Sequence, residues 1–159
     1  METIVERFHM ASLVIEPAGS WRRGRSSVHD LDFVTTATPE EIEAVCGSGL
    51  DTTASGPKVI RFETAYAEDK EIQIDFTLTD QEHWGAALMY LTGSKEMNIF
   101  MRKRAKSREM KLTRNGLVVR TTDEMLASKT EREIFKKLDL EFVPPSARDN
   151  NAWEEYQRN

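Results

Sequence analysis

Cysteine is nearly missing from this chain. Cys46 stands alone among 159 residues, which excludes an internal disulfide framework and a cysteine-based zinc site. It ends a helix-like run and reads as a small buried hydrophobe. Histidine is scarce as well. Of the three histidines, His9 and His83 have no partner at metal-ligand spacing and read as surface or capping residues. Long apolar runs are lacking: no stretch approaches the ~20 residues of a membrane span. The N-terminal METIVERFHM carries acids and no long apolar segment, so it does not read as a signal peptide. These absences lead to the expectation of an intracellular protein without a membrane partner. There is no internal repeat and no low-complexity tract.

What is present fits a globular chain. Hydrophobic residues make up 39% and charged residues 31%, enough for one compact domain or two small lobes. The net charge is −5, but it is unevenly placed. Lys95–Arg114 holds eight Lys/Arg and two acids, while acids gather in PEEIE and WEEY. A basic segment on an acidic protein is either a surface for phosphates or a solvated helix face.

Local patterns suggest the elements. Met1–Met10 reads as an amphipathic helix, SLVIEPAGS as a strand ending in a turn, and HDLDFVTT as a half-buried strand. TPEEIEAVC has an N-cap at Thr38, proline at the first helical position and Glu41 to complete a capping box. GSGLDTTASGP is a loop. Lys58–Tyr66 and Glu71–Leu78 read as strands; in the second, Ile72, Ile74, Phe76 and Leu78 share one face. Thr79 and Glu82 make a second capping-box pattern before the helix EHWGAALMYL. Ser94 caps another helix to about Ser107, and MKLTRNGLVVR suggests a hairpin around Asn115-Gly116. SKTEREIFKKL is a last short helix, VPP a rigid turn, and the tail mostly irregular. Trp84, Leu88, Phe100 and Met101 read as packing residues. The lobe boundary falls near residues 79–82.

Three aspartates stand out. Side chains alternate along a strand, so Asp30 and Asp32 point to the same side. Asp75 is likewise a lone acid on the polar face of an apolar-backed strand. If the two strands are neighbours, three carboxylates converge with no cation in sight. Such a group is costly unless a hard divalent ion neutralises it. The bland alternative is an ordinary solvated D-x-D. Upstream, GSWRR places a Gly-Ser turn and the arginines Arg22 and Arg23 within reach of phosphate oxygens. Phosphate donors beside such acids make a nucleoside triphosphate site.

The same segments carry a resemblance. GSWRRGRSSVHDLDF, IQIDF and YLTGSKEMNIFMR resemble the palm and thumb motifs of family X DNA polymerases, the polymerase-beta-like branch of the nucleotidyltransferases. EREIFKKLDLEFVPPSARD is similar to the family's closing segment, so the likeness runs from about Ile15 to Asp149. It implies an α+β (α/β) fold: a nucleotidyltransferase palm with a central mixed sheet over residues 1–80, and a small helical thumb lobe with a short hairpin over 81–159.

It also implies roles. Asp30 and Asp32 would bind two Mg²⁺ ions, with Mn²⁺ as a substitute, and Asp75 would complete the catalytic one. Gly19, Ser20 and Arg23 would meet the triphosphate, with His29 nearby. Tyr90 and Gly93 would pack on the sugar, Asn98 would reach the minor-groove edge of the base, and Arg102 would reach the template strand. Lys103, Arg104 and Lys106 would add to the DNA grip. The implied activity is a DNA-directed DNA polymerase. It would add a dNTP to a primer 3′-OH at a primer–template or DNA end, in gap filling or end repair, as a monomer.

The alternative is a template-independent or non-DNA nucleotidyltransferase, and a further rival is a non-catalytic DNA-binding scaffold. Departures from the family pattern bear on this choice. The expectation is a minimal form without the lyase and helix-hairpin-helix domains of many members, a scale similar to minimal viral members, for which the compartment would be a host cell or virion. Gln73 stands where many members have an arginine that holds the third aspartate, and Leu91 replaces an aromatic. His29 matches the end-joining and template-independent members.

Overall fold

The computed structural model of the chain describes residues 2–26, 30–47, 58–67 and 70–157. Helix α1 (Glu2–Met10) leads into strand β1 (Ile15–Pro17), a single helical turn α2 (Gly19–Arg22) and strand β2 (Asp30–Thr35). Helix α3 (Pro39–Cys46) and strands β3 (Val59–Ala67) and β4 (Lys70–Leu78) follow. The sheet order is β1-β2-β4-β3. β2 and β4 run parallel at its centre, and β1 and β3 are antiparallel to their neighbours.

Local chemistry explains these elements. Thr38 Oγ1 accepts from the Glu41 amide at 3.2 Å, and the Glu41 carboxylate accepts from the Thr38 amide at 3.0 Å. Two otherwise orphaned donors at the start of α3 are thereby satisfied. Alternation in β2 and β4 sends Leu31, Phe33, Ile74 and Phe76 inward, where they pack with Phe8 of α1 and Ile42 of α3. The Phe76 ring stacks on Phe8 and Phe33 with centroids 5.4 and 5.5 Å apart. The other face of β2 carries Asp30, Asp32 and Val34. The sheet therefore has one oily face and one face free to carry chemistry.

The second half begins with helices α4 (Trp84–Thr92) and α5 (Lys95–Ser107). Strands β5 (Met110–Thr113), β6 (Gly116–Val119) and β7 (Met125–Ala127) form an antiparallel sheet, before helix α6 (Glu131–Lys137). Ser94 Oγ accepts from the Met97 amide at 3.3 Å and starts α5. Met97, Met101 and Ala105 then bury one face of α5 against Leu117, Ile134, Phe135 and Leu138. Helix α4 joins the two halves. Ala86 and Met89 belong to that second core, while Ala87 and Leu88 pack on Ala18 and Val34 of the first. Gly85 makes the start of α4 possible, because a Cβ there would stand 2.3 Å from the Thr130 backbone carbonyl carbon.

Several expectations need correction. The Thr79–Glu82 capping box does not form. Asp80 takes over the turn instead, accepting from the His83 amide at 3.0 Å and pairing with His83 Nδ1 at 2.7 Å, and α4 starts at Trp84. The hairpin turn is Arg114-Asn115, one residue before the expected Asn115-Gly116, and β7 adds a third strand. The tail is not loose: it forms 3-10 turns at Pro145–Ala147 and Ala152–Gln157, and buries Arg148 and Trp153. Most of the expected loop GSGLDTTASGP lies outside the described residues. Among the described residues no helix is long and apolar enough to cross a membrane.

Candidate active site

Parallel registry places Asp32 opposite Asp75, and Asp30 opposite Gln73. Neighbouring strands are about 4.8 Å apart, so Asp32 and Asp75 sit side by side. Asp30 is exposed, and the other two are half-buried. Burial, and then the charges of Asp75 and Asp30, push the Asp32 carboxyl up to about 6, against the pull of Arg23 and Arg61.

The sequence alone pointed to no cation among these acids; the structure corrects this. Arg61 of β3 lies opposite Asp75. Its Nε donates to Asp75 Oδ1 at 2.9 Å, and its Nη2 donates to Oδ2 at 3.2 Å. The Gln73 amide lies beside both groups, 3.3 Å from Asp75 Oδ2 and 3.2 Å from the guanidinium. Among the described residues no three His, Cys, Asp or Glu side chains are already gathered tightly enough to hold an ion. The donor types nonetheless suit a hard divalent cation, since all are carboxylate oxygens. A cation would also relieve the repulsion that raises Asp32. Asp75 would have to share its oxygens between such an ion and Arg61.

The turn before β2 presses on these acids. Gly19 has φ +61°, and a Cβ there would stand 2.6 Å from Asp32 Oδ2. Glycine alone meets both demands without strain. The Ala18 amide donates to the Asp32 carbonyl at 2.7 Å and fixes the approach. Gly19, Ser20, Arg23, Asp30 and Asp32 line one side of an open cleft of about 580 Å³. Tyr90, Gly93 and Asn98 line the other. Thus eight expected site residues meet there, while Asp75 and Arg102 lie outside its lining. A larger cleft of about 710 Å³, between Phe100, Arg104, Arg132 and Phe142, contains none of the three aspartates.

The arginines of GSWRRGR also tie the two halves of the chain together. Arg22 was expected within reach of phosphate. It instead donates to Thr92 Oγ1 at 2.8 Å and to both Glu131 oxygens at 2.6 and 3.0 Å. Arg23 lines the cleft, but its Nη1 donates to the Thr92 carbonyl at 2.6 Å and its Nε to both oxygens of Asp149 at 3.0 Å. Arg25 also pairs with Asp149, at 3.3 Å. Burial pushes the Asp149 carboxyl up, but the two guanidinium groups outweigh it and hold the group below its ordinary value. The same balance, with Arg22 and Arg148 as partners, holds Glu131 below the usual range.

The helical side of the cleft is ordered by its own bonds. Asn98 Nδ2 donates to the Tyr90 carbonyl at 2.8 Å. The Arg114 guanidinium lies 5.0 Å from the centre of the Tyr90 ring, a cation–π distance. Arg102 is exposed and borders a hollow with Tyr90, Asn98 and Leu112. Lys103 and Lys106 are exposed on α5. Arg104 donates to the carbonyls of Leu138 and Asp139, at 2.9 and 3.3 Å, just beyond α6. His29 lies outside the described residues. Arg61, Arg114, Glu131 and Asp149 were missed as site residues. Only Arg61 left a signal: it is a lone base between Ile60 and Phe62, on the polar face of its strand.

Known proteins are similar to this chain in sequence. A family profile described as the DNA polymerase beta thumb matches residues 87–149. The chain is 33% identical over 144 residues to the DNA polymerase/3′-5′ exonuclease PolX of Bacillus subtilis, covering 84% of this chain and 24% of that protein. It is 37% identical over 82 residues to DNA polymerase IV of Saccharomyces cerevisiae, covering 52% and 14%. It is 31% identical over 93 residues to DNA polymerase lambda of Rattus norvegicus, covering 52% and 16%. The chain thus spans about a quarter or less of the length of these relatives. With a mixed sheet that pairs two aspartate-bearing strands and a thumb-matched second half, the chain is family X DNA polymerase-like.

Proposed function

We propose that the chain is a palm (1–80) and thumb (81–159) that extend a DNA primer 3′-OH with dNTPs. The observation that carries this reading is the register of Asp32 beside Asp75, at a cleft shared with Tyr90, Gly93 and Asn98. Asp30 and Asp32 would hold two Mg²⁺ ions, or Mn²⁺, and Asp75 would complete one of them. Such ions, when bound, activate the attacking hydroxyl and neutralise charge on the phosphates.

The chain's own residues do the positioning. Gly19 and Ser20 offer polar groups to the triphosphate beside Asp32. Arg23 has Nε and Nη1 pinned, so it presents a fixed positive field to the cleft and does not swing out. The Asn98 side chain is held by its amide nitrogen, which leaves its oxygen for a base edge. Tyr90, backed by Arg114, and Gly93 form the wall against the sugar. Arg102 faces the template, and Lys103, Lys106 and Arg104 add phosphate attraction, so binding weakens steeply with salt. The protein acts as an intracellular monomer in gap filling or end repair.

Primer extension on gapped, nicked and single-stranded DNA tests this reading. The gapped substrate should be extended, with an absolute need for Mg²⁺ or Mn²⁺. No incorporation on any of the three would overturn it. Within that assay, Asn98→Ala should weaken dNTP affinity by about 1–3 kcal/mol, the scale of a lost base-edge contact. Arg102→Ala should slow correct templated insertion more than it weakens metal binding. Parent rates for both variants would remove the polymerase-type thumb from the proposal.

A further inference from the structure

We propose that Arg61 is the positioning residue of Asp75 and competes with the incoming cation for its carboxylate. The inference rests on the reading of Asp30, Asp32 and Asp75 as an ion-binding set. Arg61 and Asp75 are Cα partners on antiparallel strands, so the backbone ladder sets the approach of their side chains. Two parallel contacts, at 2.9 and 3.2 Å, engage both carboxylate oxygens in the two-point geometry that arginine alone provides. Those oxygens are the atoms an ion would need.

Asp32 shows the contrast. It lies opposite Asp75 across the parallel pair and lines the cleft with Asp30. The site is thus uneven before any ion arrives: Asp30 and Asp32 face the cleft, while both Asp75 oxygens are engaged by Arg61. An ion entering at Asp32 and Asp30 must share the Asp75 oxygens with Arg61, whose charge and two contacts weaken their hold on a cation. Both side chains keep partial exposure, 27% for Arg61 and 18% for Asp75, so this sharing needs no unfolding. Arg61 stays on its strand beside Asp75 and aims the carboxylate that it shares. A free Asp75 would bind the ion sooner but would be less well aimed. Gln73, beside both groups, can accept from the guanidinium once Asp75 turns.

Removing the guanidinium takes away a positive charge and two donors that compete for the same oxygens, so the carboxylate's hold on a cation strengthens. The test is Mn²⁺ binding to the full chain without DNA or nucleotide, followed by the electron paramagnetic resonance signal of free Mn²⁺. Arg61→Gln should bind Mn²⁺ about tenfold tighter than the parent. Arg61→Lys keeps the charge but loses the two-point grip, so it should fall between them. It also carries the test if Arg61→Gln folds poorly. Asp32→Ala marks the ion site by weakening Mn²⁺ binding in the same titration. If the parent binds Mn²⁺, Asp32→Ala weakens it, and neither Arg61 variant is tighter, the competition is overturned while the ion site stands. A parent that binds no Mn²⁺ overturns both.

Discussion

Asp32→Asn should abolish primer extension and yet make the ion-free protein more stable at neutral pH. The loss of activity follows from the proposed chemistry. Removing one anionic ligand from an ion that stabilises several kcal/mol of developing charge costs about 10³-fold or more in rate. The gain in stability follows from the raised carboxyl. Asp32 titrates at about 6 in the folded chain against an ordinary 3.8. The folded state thus holds its proton more tightly than the unfolded state, and ionisation disfavours folding. That cost is absent below about pH 4, develops as pH rises through 6, and is then constant. Allowing for solvent screening of a half-buried group, it is of order 2 kcal/mol at pH 8.

Asparagine keeps the shape and removes the charge. Urea unfolding in chelator should therefore show Asp32→Asn more stable than the parent at pH 8 and equal to it near pH 4. Asp75→Asn should show a smaller gain or none, because it also removes the charge that pairs with Arg61. Retained extension by Asp32→Asn would remove these acids from the chemistry. A variant no more stable than the parent at pH 8 would show that the carboxylate is not strained.

The contrast between these two aspartates marks where reading the chain alone ran out. Both are lone acids on apolar-backed strands, and the alternation in EIQIDFTLT was plain. The same sequence logic could not say which strand lay on the far side of β4. Arg61 becomes the partner of Asp75 through an antiparallel register with β3, and that pairing is a property of the whole sheet. Local signals were dependable where the physics is local. Thr38 and Glu41 satisfy each other's backbone within one turn, and the Ser94 side chain caps α5 by accepting from the Met97 amide. The false signal was local too. Thr79 and Glu82 have the spacing of a cap, but the Thr79 amide is already bonded to the Thr35 carbonyl at the end of the sheet, and Asp80 captures the turn.

The arginine cluster shows the same limit over a longer range. Three arginines beside a D-x-D suggest phosphate when only neighbours in sequence are visible. Their partners, Glu131 and Asp149, lie more than 100 residues away. These side chains form a joint between the two halves of the chain, and Arg23 and Arg25 also line the cleft. The joint still bears on the cleft, because Gly19 and Ser20 occupy the same helical turn as Arg22.

That joint carries the largest expected effect on stability. Glu131→Ala should cost about 3–5 kcal/mol, the usual result of stranding a buried charge. Arg148 is fully buried, and its Nη1 donates to Glu131 Oε2 at 2.6 Å. Its remaining contacts are the Val143 carbonyl and the rings of Phe135 and Phe142. Arg22 reaches Glu131 Oε1 at 2.6 Å from the other side. Among the described residues no buried side-chain nitrogen or oxygen lacks a partner, and removing this carboxylate would leave both guanidinium groups without their counter-charge.

The pH dependence has a definite sign. The Glu131 carboxyl is held below its ordinary value, so the unfolded chain binds this proton more tightly. Its contribution is complete above the ordinary glutamate range and is lost as the pH falls through the lowered folded value. The parent and Glu131→Ala should therefore converge in stability on acidification and differ most near neutrality. Replacing the pair together, Glu131→Leu with Arg148→Met, should recover part of the loss by filling the space without a stranded charge. The readout is urea unfolding of the three variants from pH 3 to 8, with the Michaelis constant for dNTP measured beside it. That constant should rise in Glu131→Ala, because α2 loses its hold on the second half. A Glu131→Ala protein as stable as the parent at pH 7 would mean that Arg22 and Arg148 find water or other partners, and that the Arg23 and Arg25 pairs with Asp149 and the packing of Ala18, Val34, Ala87 and Leu88 suffice to hold the two halves together.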